Sequence, residues 1–262
     1  MSYVINYFYT SHIGKSRKTN QDNFFCDTDY LNSDNIGTEG IKEGYAVSSN
    51  QPTFGVFDGM GGEECGEMAA YIAAKELSTF RFYKDITQGY IDYCKSANEK
   101  ICAYTNENNL TSMGTTAAIL KFTKDKICLC NVGDSKIFQF SDGTFQQISY
   151  DHIGISTFGK KPPLSQNLGI PESELIILPY IATGEYHSGD VYLICSDGLT
   201  DMLTVADIEK ILSEEKGLVA AEQLLKQSLD NGGKDNITFI LIYIEKSKRK
   251  IFSFNGRGGA CQ

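Results

Sequence analysis

Phe54-Gly55-Val56-Phe57-Asp58-Gly59-Met60-Gly61-Gly62 is the stretch that decides how this chain is read. An apolar run of strand length ends on one carboxylate and breaks at once into glycines. That places Asp58 at the rim of a sheet, with backbone able to approach a ligand closely. The device recurs at Tyr192-Leu193-Ile194-Cys195-Ser196-Asp197-Gly198, and Asp235 stands just before the apolar strand 237–242. Val132-Gly133-Asp134-Ser135 offers a further carboxylate between two strands. Taken singly, each of these is a turn signal. Together, against strands of buried type, they can converge on one edge of one sheet system.

Working outward, residues 3–10 read as an opening strand rich in β-branched and aromatic side chains. Residues 23–26 resume that pattern after a polar segment carrying Arg17, Asn20, Gln21 and Asp22. Residues 32–50 are polar and without periodicity, which predicts a loop. Met68, Ala69, Ile72, Ala73, Leu77 and Phe80 recur at helical spacing, as do Ile86, Tyr90, Cys94, Ala97, Ile101 and Tyr104. Strands at 115–122, 127–132, 136–140 and 145–148 follow. Lys124-Asp125-Lys126 and Ser141-Asp142-Gly143 serve as hairpin turns, so this is an antiparallel meander. Residues 151–189 are irregular and hold four of the five prolines; Leu175-Ile176-Ile177-Leu178 is the strand-like run there. Two more helices, around 205–212 and 221–229, lead to a last strand at 237–244. Successive amphipathic helices must cover a sheet face. The expected fold is α+β, a four-layer αββα sandwich of two antiparallel β-sheets packed face to face, with a pair of helices on each outer face.

Composition narrows the function. The 262 residues carry a net charge of −9, and basic residues are scattered except for Lys246-Ser247-Lys248-Arg249-Lys250, so nucleic acid is not an expected partner. No apolar stretch approaches the roughly 20 residues that span a bilayer, and no signal peptide is apparent, so a cytoplasmic protein that does not engage membranes is expected. The eight cysteines lack paired CxxC spacing. Cys128 and Cys130 alternate on one strand and read as reduced core thiols.

Carboxylates beside glycine backbone, with only three histidines in the chain, describe an oxygen-ligand site for hard divalent cations, Mg²⁺ or Mn²⁺. One bridging Asp with others flanking it would hold two ions about 3.5–4 Å apart, a spacing that acidifies a bridging water and clamps a phosphoryl group. Arg17 at the same rim would hold phosphate bidentately. Rival phosphatase chemistries fit poorly. Asp27-Thr28-Asp29 matches the D-x-D of haloacid-dehalogenase enzymes, yet Leu31 and a polar loop follow it. No cysteine has an Arg six residues on, and the histidines are too few and too scattered for a calcineurin-type centre.

The ordered set Arg17-x-x-Asn20-Gln21-Asp22, Asp58-Gly59-Met60-Gly61-Gly62, Gly114-Thr115-Thr116, Gly133-Asp134-Ser135, Asp151-His152, Leu168-Gly169, Ser196-Asp197-Gly198-Leu199-x-Asp201 and Gly233-x-Asp235-Asn236-Ile237-Thr238 resembles the type 2C (PPM) family of metal-dependent Ser/Thr protein phosphatases, its compact bacterial members in particular. The resemblance implies a single type 2C phosphatase domain over 1–250, with a flexible tail at 251–262. It implies a monomeric enzyme that hydrolyses phosphoserine and phosphothreonine with metal-activated water and no phosphoenzyme. Two Mn²⁺ or Mg²⁺ ions, and a third in many bacterial relatives, would be the cofactors. Asp58 would bridge the pair, the Gly59 carbonyl would complete one coordination sphere, and Asp197 and Asp235 would hold the other ion. Asp134 and Asp201 match the third position. Gln21, Asp22 and Asn236 would support the ions from behind, Asp22 through bound water, and Arg17 would receive the substrate phosphate. Phosphorylated proteins, and a cognate Ser/Thr kinase with its substrates, would be the partners; a pseudophosphatase that binds phosphoproteins or regulates without turnover is the alternative.

Departures from the family pattern are also legible. Met60 stands where eukaryotic members often carry a His that donates a proton, and Met cannot donate one. Lys136 replaces a common Arg, Gln21 replaces a common Glu, and the flap segment 151–168 is short.

Overall fold

The computed structural model describes residues 2–60, 65–83, 85–156 and 162–247. Its strands are β1 (Tyr3–His12), β2 (Asp22–Cys26), β3 (Lys42–Val47), β4 (Thr53–Met60), β5 (Gly114–Thr115) and β6 (Ala117–Phe122). They continue with β7 (Lys126–Val132), β8 (Lys136–Ser141), β9 (Thr144–Gln147), β10 (Tyr180–Glu185), β11 (Val191–Cys195) and β12 (Ile237–Lys246). The helices are α1 (Gly66–Thr79), α2 (Ile86–Glu107), α3 (Asp197–Thr200), α4 (Val205–Glu214) and α5 (Gly217–Asp230).

The central strands divide their side chains between two apolar layers. β12 turns Ile240, Ile242 and Ile244 into the space between the sheets, and Ile237, Phe239 and Leu241 toward the helices. β4 likewise buries Phe54 and Val56 inward and Phe57 outward. A strand covered on both faces reads as one continuous apolar run, which is why these segments stand out in the sequence. One sheet runs β3-β1-β12-β11-β8-β9; the other runs β10-β7-β6-β4-β2, with β5 joined to β4. Every pairing is antiparallel. The α1–α2 pair covers the second sheet, where Ala69, Ala70, Ala73 and Ala74 let α1 approach closely beneath Tyr90 and Tyr93 of α2. The α4–α5 pair covers the first through Ile208, Ile211, Leu212, Ala221 and Leu224. The expected four-layer sandwich is therefore the observed one. Between β8 and β9, Asp142 and Gly143 both take positive φ (50° and 78°), the geometry of a two-residue type I′ hairpin. Cys128 and Cys130 lie reduced and buried on β7, as their alternation predicts.

Several expectations need correction. The segment 32–50 is not all loop: β3 forms within it, an edge strand whose only fully buried residue is Ala46. Leu175-Ile176-Ile177-Leu178 is not a strand. Ile177 packs on the α2 side of the core while Ile176 and Leu178 face solvent, and β10 begins five residues after Leu175. The strand expected at 115–122 is interrupted at Thr116, whose N–H turns to the Asp58 carbonyl. β4 does not break at Asp58 but carries it inside the strand, opposite Asp22. Gly61, Gly62, the middle of the flap and the tail expected at 251–262 lie outside the described residues. Among the described residues no helix is long and apolar enough to cross a membrane.

Candidate active site and metal centre

Antiparallel register gathers the carboxylates. Asp22 lies opposite Asp58, Cys195 lies opposite both Lys136 and Phe239, and His12 lies opposite Ile237. The residues just beyond these strand ends, Asp134, Asp197, Asp235 and the loop of Arg17, therefore meet at one end of the sandwich. They line a cleft of about 340 Å³ together with Gln21, Asp58, Gly59, Met60, Asn236, Pro162 and Leu164.

Each side chain is held by its backbone. The Asp58 N–H donates to Thr116 Oγ1 (3.0 Å), and its carbonyl accepts from Thr116 N–H (2.9 Å) and Thr115 Oγ1 (3.1 Å). Thr116 Oγ1 in turn bonds Ser135 Oγ (2.6 Å), next to Asp134. The Gly59 N–H donates to the Gln21 carbonyl at 3.1 Å. A Cβ at Gly59 would sit 2.2 Å from the Gly66 carbonyl oxygen, so only glycine fits between β4 and the start of α1. Asn236 Oδ1 accepts from Gln21 N–H (2.9 Å), and its Nδ2 donates to the carbonyls of Ile13 (2.9 Å) and Thr19 (3.0 Å). One amide thus staples both ends of the Arg17 loop to β12. His152 and the Gly133 turn exchange hydrogen bonds that fix the backbone presenting Asp134.

The electrostatics are those of a site short of positive charge. Burial first, then the charges of Asp197, Asp22 and Asp134, push the Asp58 carboxyl well above the usual range, and Asp58 lies within hydrogen-bond reach of Asp197. Asp22, almost fully buried, is pushed up to about 7 by burial, against the opposing hydrogen bonds of Ser196 and Thr238. Ser196 Oγ donates to Asp22 Oδ2 at 2.7 Å. Arg17 is the cation among the described lining residues; it donates to Asp235 Oδ2 at 2.6 Å, a bond that raises its own pKa.

Among the described residues, no three acidic, histidine or cysteine side chains are already drawn into a closed chelate. Asp235 is turned to Arg17, and Asp58 to Asp197. The donor set nevertheless fits a hard cation: it is all oxygen, and its carboxylates repel one another in a partly desolvated cleft. Asp201 lies outside this cleft, exposed at the end of α3. It lines a neighbouring cavity of about 350 Å³ with Asp134, Asp197, Asp151 and Lys136. Lys136 ion-pairs with Asp151 there and donates to the Asp134 carbonyl at 3.0 Å. Thr116, Ser135 and Ser196 stand in the sequence motifs but carry no role there; the structure shows Thr116 bonded to the Asp58 backbone and to Ser135, and Ser196 to Asp22. The D-x-D at Asp27–Asp29 lies at the opposite end of β2, where Tyr9 OH donates to Asp29 at 2.9 Å.

The family model "Protein phosphatase 2C" matches residues 27–231. The chain belongs to the protein phosphatase 2C family. Arg17, Gln21, Asp22, Asp235 and Asn236 fall outside the matched stretch. The chain is 27% identical over 231 residues to the serine/threonine phosphatase stp of Listeria welshimeri, covering 80% of this chain and 89% of that one. It is 29% identical over 199 residues to the serine/threonine protein phosphatase PstP of Mycobacterium tuberculosis, covering 70% of this chain and 38% of that one. Among solved structures, the S. agalactiae serine/threonine phosphatase matches with a TM-score of 0.76 at 25% identity, over 92% of this chain and all of that one. The PstP catalytic domain, solved in complex with 2 manganese ions, matches with a TM-score of 0.71 at 24% identity, over 93% of this chain and all of that one.

Proposed function

We propose that the chain is a Mn²⁺- or Mg²⁺-dependent phosphatase of phosphoserine and phosphothreonine in proteins, acting by direct water attack without a phosphoenzyme. The observation that carries this reading is the convergence of Asp58, Asp197, Asp134 and Asp235 with one guanidinium in a single cleft. Bound divalent ions would neutralise the phosphoryl oxygens and supply a water acidic enough to attack at neutral pH. The chain's own part is to hold and orient. Asp58, anchored on both sides of its peptide, spans the two sheets' contributions; Asp197 and Asp235 flank it, the Gly59 carbonyl adds a neutral oxygen, and buried Asp22 supports the cluster from behind.

Arg17 recognises the phosphate. Its pair with Asp235 is half-exposed, with side-chain exposures of 50% and 30%. Exposed pairs of this kind contribute only about 0–1 kcal/mol. Asp235 is therefore readily traded to a cation, and the freed guanidinium to a phosphate. Met60 lines the cleft but cannot donate a proton, so the proton for the leaving alkoxide has to come from water held in the cleft or from another group. Asp134 and Asp201 would hold a third, looser ion beside Lys136, in which case Asp201→Ala keeps two ions and loses turnover. Unchanged turnover removes that role. The partners follow from the reaction: phosphorylated Ser/Thr proteins and the kinase that makes them.

The test is phosphate release from a phosphothreonine peptide with Mn²⁺. Activity is expected with metal, and is lost on chelation and in Asp58→Ala. Activity that survives either change contradicts the reading, and tight peptide binding without turnover would favour the phosphoprotein-binding alternative.

A further inference from the structure

Asn98 sits on the outer helix α2, away from the cleft, and is 7% exposed. Its whole amide is spent on one foreign turn: Oδ1 accepts from the N–H groups of Gly169 (2.6 Å) and Ile170 (3.2 Å), and Nδ2 donates to the Ile170 carbonyl (2.8 Å). An apolar side chain would fill a buried helix position as well, and a buried amide that lost these partners would be destabilising. The asparagine therefore has one evident task, which is to fix the 168–170 turn.

That turn touches the active-site backbone. Gly169 has φ +107°, and a Cβ there would lie 2.2 Å from the Met113 carbonyl oxygen and 2.9 Å from Gly114 Cα, so turn and β5 are in direct contact. Leu168, fully buried, exchanges both backbone hydrogen bonds with Thr115 (3.0 and 2.9 Å). Thr115 lies opposite Gly59, and its hydroxyl donates to the Asp58 carbonyl at 3.1 Å. Three hydrogen-bonded steps, Asn98 to the turn, Leu168 to Thr115 and Thr115 to Asp58, thus connect α2 to the peptide that carries the central carboxylate.

We infer that Asn98 is a positioning residue for the Asp58–Gly59 edge, acting through Leu168–Ile170 and Thr115. This rests on the phosphatase reading above, because it assigns that edge a role in turnover. Residues around a metal ligand that act only by orienting it typically contribute 10–100-fold.

The experiment compares wild type, Asn98→Ala, Asn98→Asp and Tyr90→Phe with Mn²⁺ present. Tyr90 serves as the control because its hydroxyl ties the same helix to the Cys128 carbonyl (2.8 Å) and not to the turn. In Asn98→Ala, kcat per folded molecule is expected to fall about tenfold with KM within about twofold. Amide hydrogen exchange at Thr115 and Thr116 in the metal-free chain is expected to accelerate. Asn98→Asp, which sets a carboxylate oxygen against the Ile170 carbonyl, is expected to fall between Asn98→Ala and wild type, and Tyr90→Phe is expected to lose stability without losing kcat. Wild-type kcat and wild-type exchange at Thr115 and Thr116 in Asn98→Ala would overturn the inference. If Asn98→Ala does not fold, the same result in Asn98→Asp overturns it. A wild-type chain without activity would instead sink the phosphatase reading, and the exchange measurement alone would then decide whether Asn98 governs this edge.

Discussion

At the scale of single residues, the cleft depends on side chains that hold others in place more than on strong isolated contacts. Arg17 makes this testable. Its pair with Asp235 at 2.6 Å is half-exposed, so Arg17→Ala is expected to change stability by less than about 1 kcal/mol. As the proposed phosphate-binding group it is expected to lower kcat/KM for a phosphothreonine peptide by about a hundredfold. Thermal melts and steady-state kinetics on the same preparation separate these effects. A large fall in Tm with unaltered kcat/KM would make Arg17 a structural brace. The carboxylates themselves were legible in sequence because each follows or precedes an apolar run. The part played by Thr116, Ser135 and Ser196, which stand in the motifs, was not legible, because a Ser or Thr beside an Asp is ordinary turn composition and its partner lies on another strand.

At the scale of elements, strands buried on both faces, such as β4, β11 and β12, are read from sequence, as are the edge strands β2 and β9; the two strands missed, β3 and β10, are edges as well. β3 carries Lys42, Glu43 and Tyr45 toward solvent, and β10 includes Thr183, Gly184 and Glu185, so neither shows an apolar period. Edge strands blunt their unpaired side with charge and small residues, and that erases the pattern by which strands are recognised. The apolar run 175–178 misled for the opposite reason: Ile176 and Leu178 are 63% and 65% exposed.

Helix α4 was legible from its periodicity, and its start is a capping box in which Thr204 Oγ1 accepts from Asp207 N–H and Asp207 accepts from the Thr204 N–H. Thr204→Ala is expected to destabilise the protein by about 1 kcal/mol in denaturant titration, and no loss would show the box to be dispensable. The hydroxyl and N–H of Thr204 hold the Asp207 carboxyl below its ordinary value. A depressed carboxylate stabilises the fold above its unfolded pKa, and that contribution fades as pH falls through the lower folded value. Asp207→Asn is therefore expected to flatten the acid limb of the stability curve and to leave its neutral region less stable than wild type. A parallel curve would remove the linkage.

At the scale of the whole molecule, the sandwich exists in three apolar layers, one between the sheets and one under each helix pair. The cleft opens where the ends of both sheets meet. Neither sheet alone supplies the donor set: Asp22 and Asp58 come from one, while Asp197 and Asp235 flank strands of the other. The packing of the two sheets therefore fixes the mutual position of the carboxylates, and mutual repulsion among them in a partly buried site creates the demand for cations.

Anomalous diffraction from crystals grown with Mn²⁺ tests this most directly. The account predicts a pair of peaks in the cleft, joined by Asp58 and flanked by Asp197 and Asp235, with Arg17 turned away from Asp235. A cleft without peaks at saturating Mn²⁺, with Arg17 still on Asp235, would contradict it.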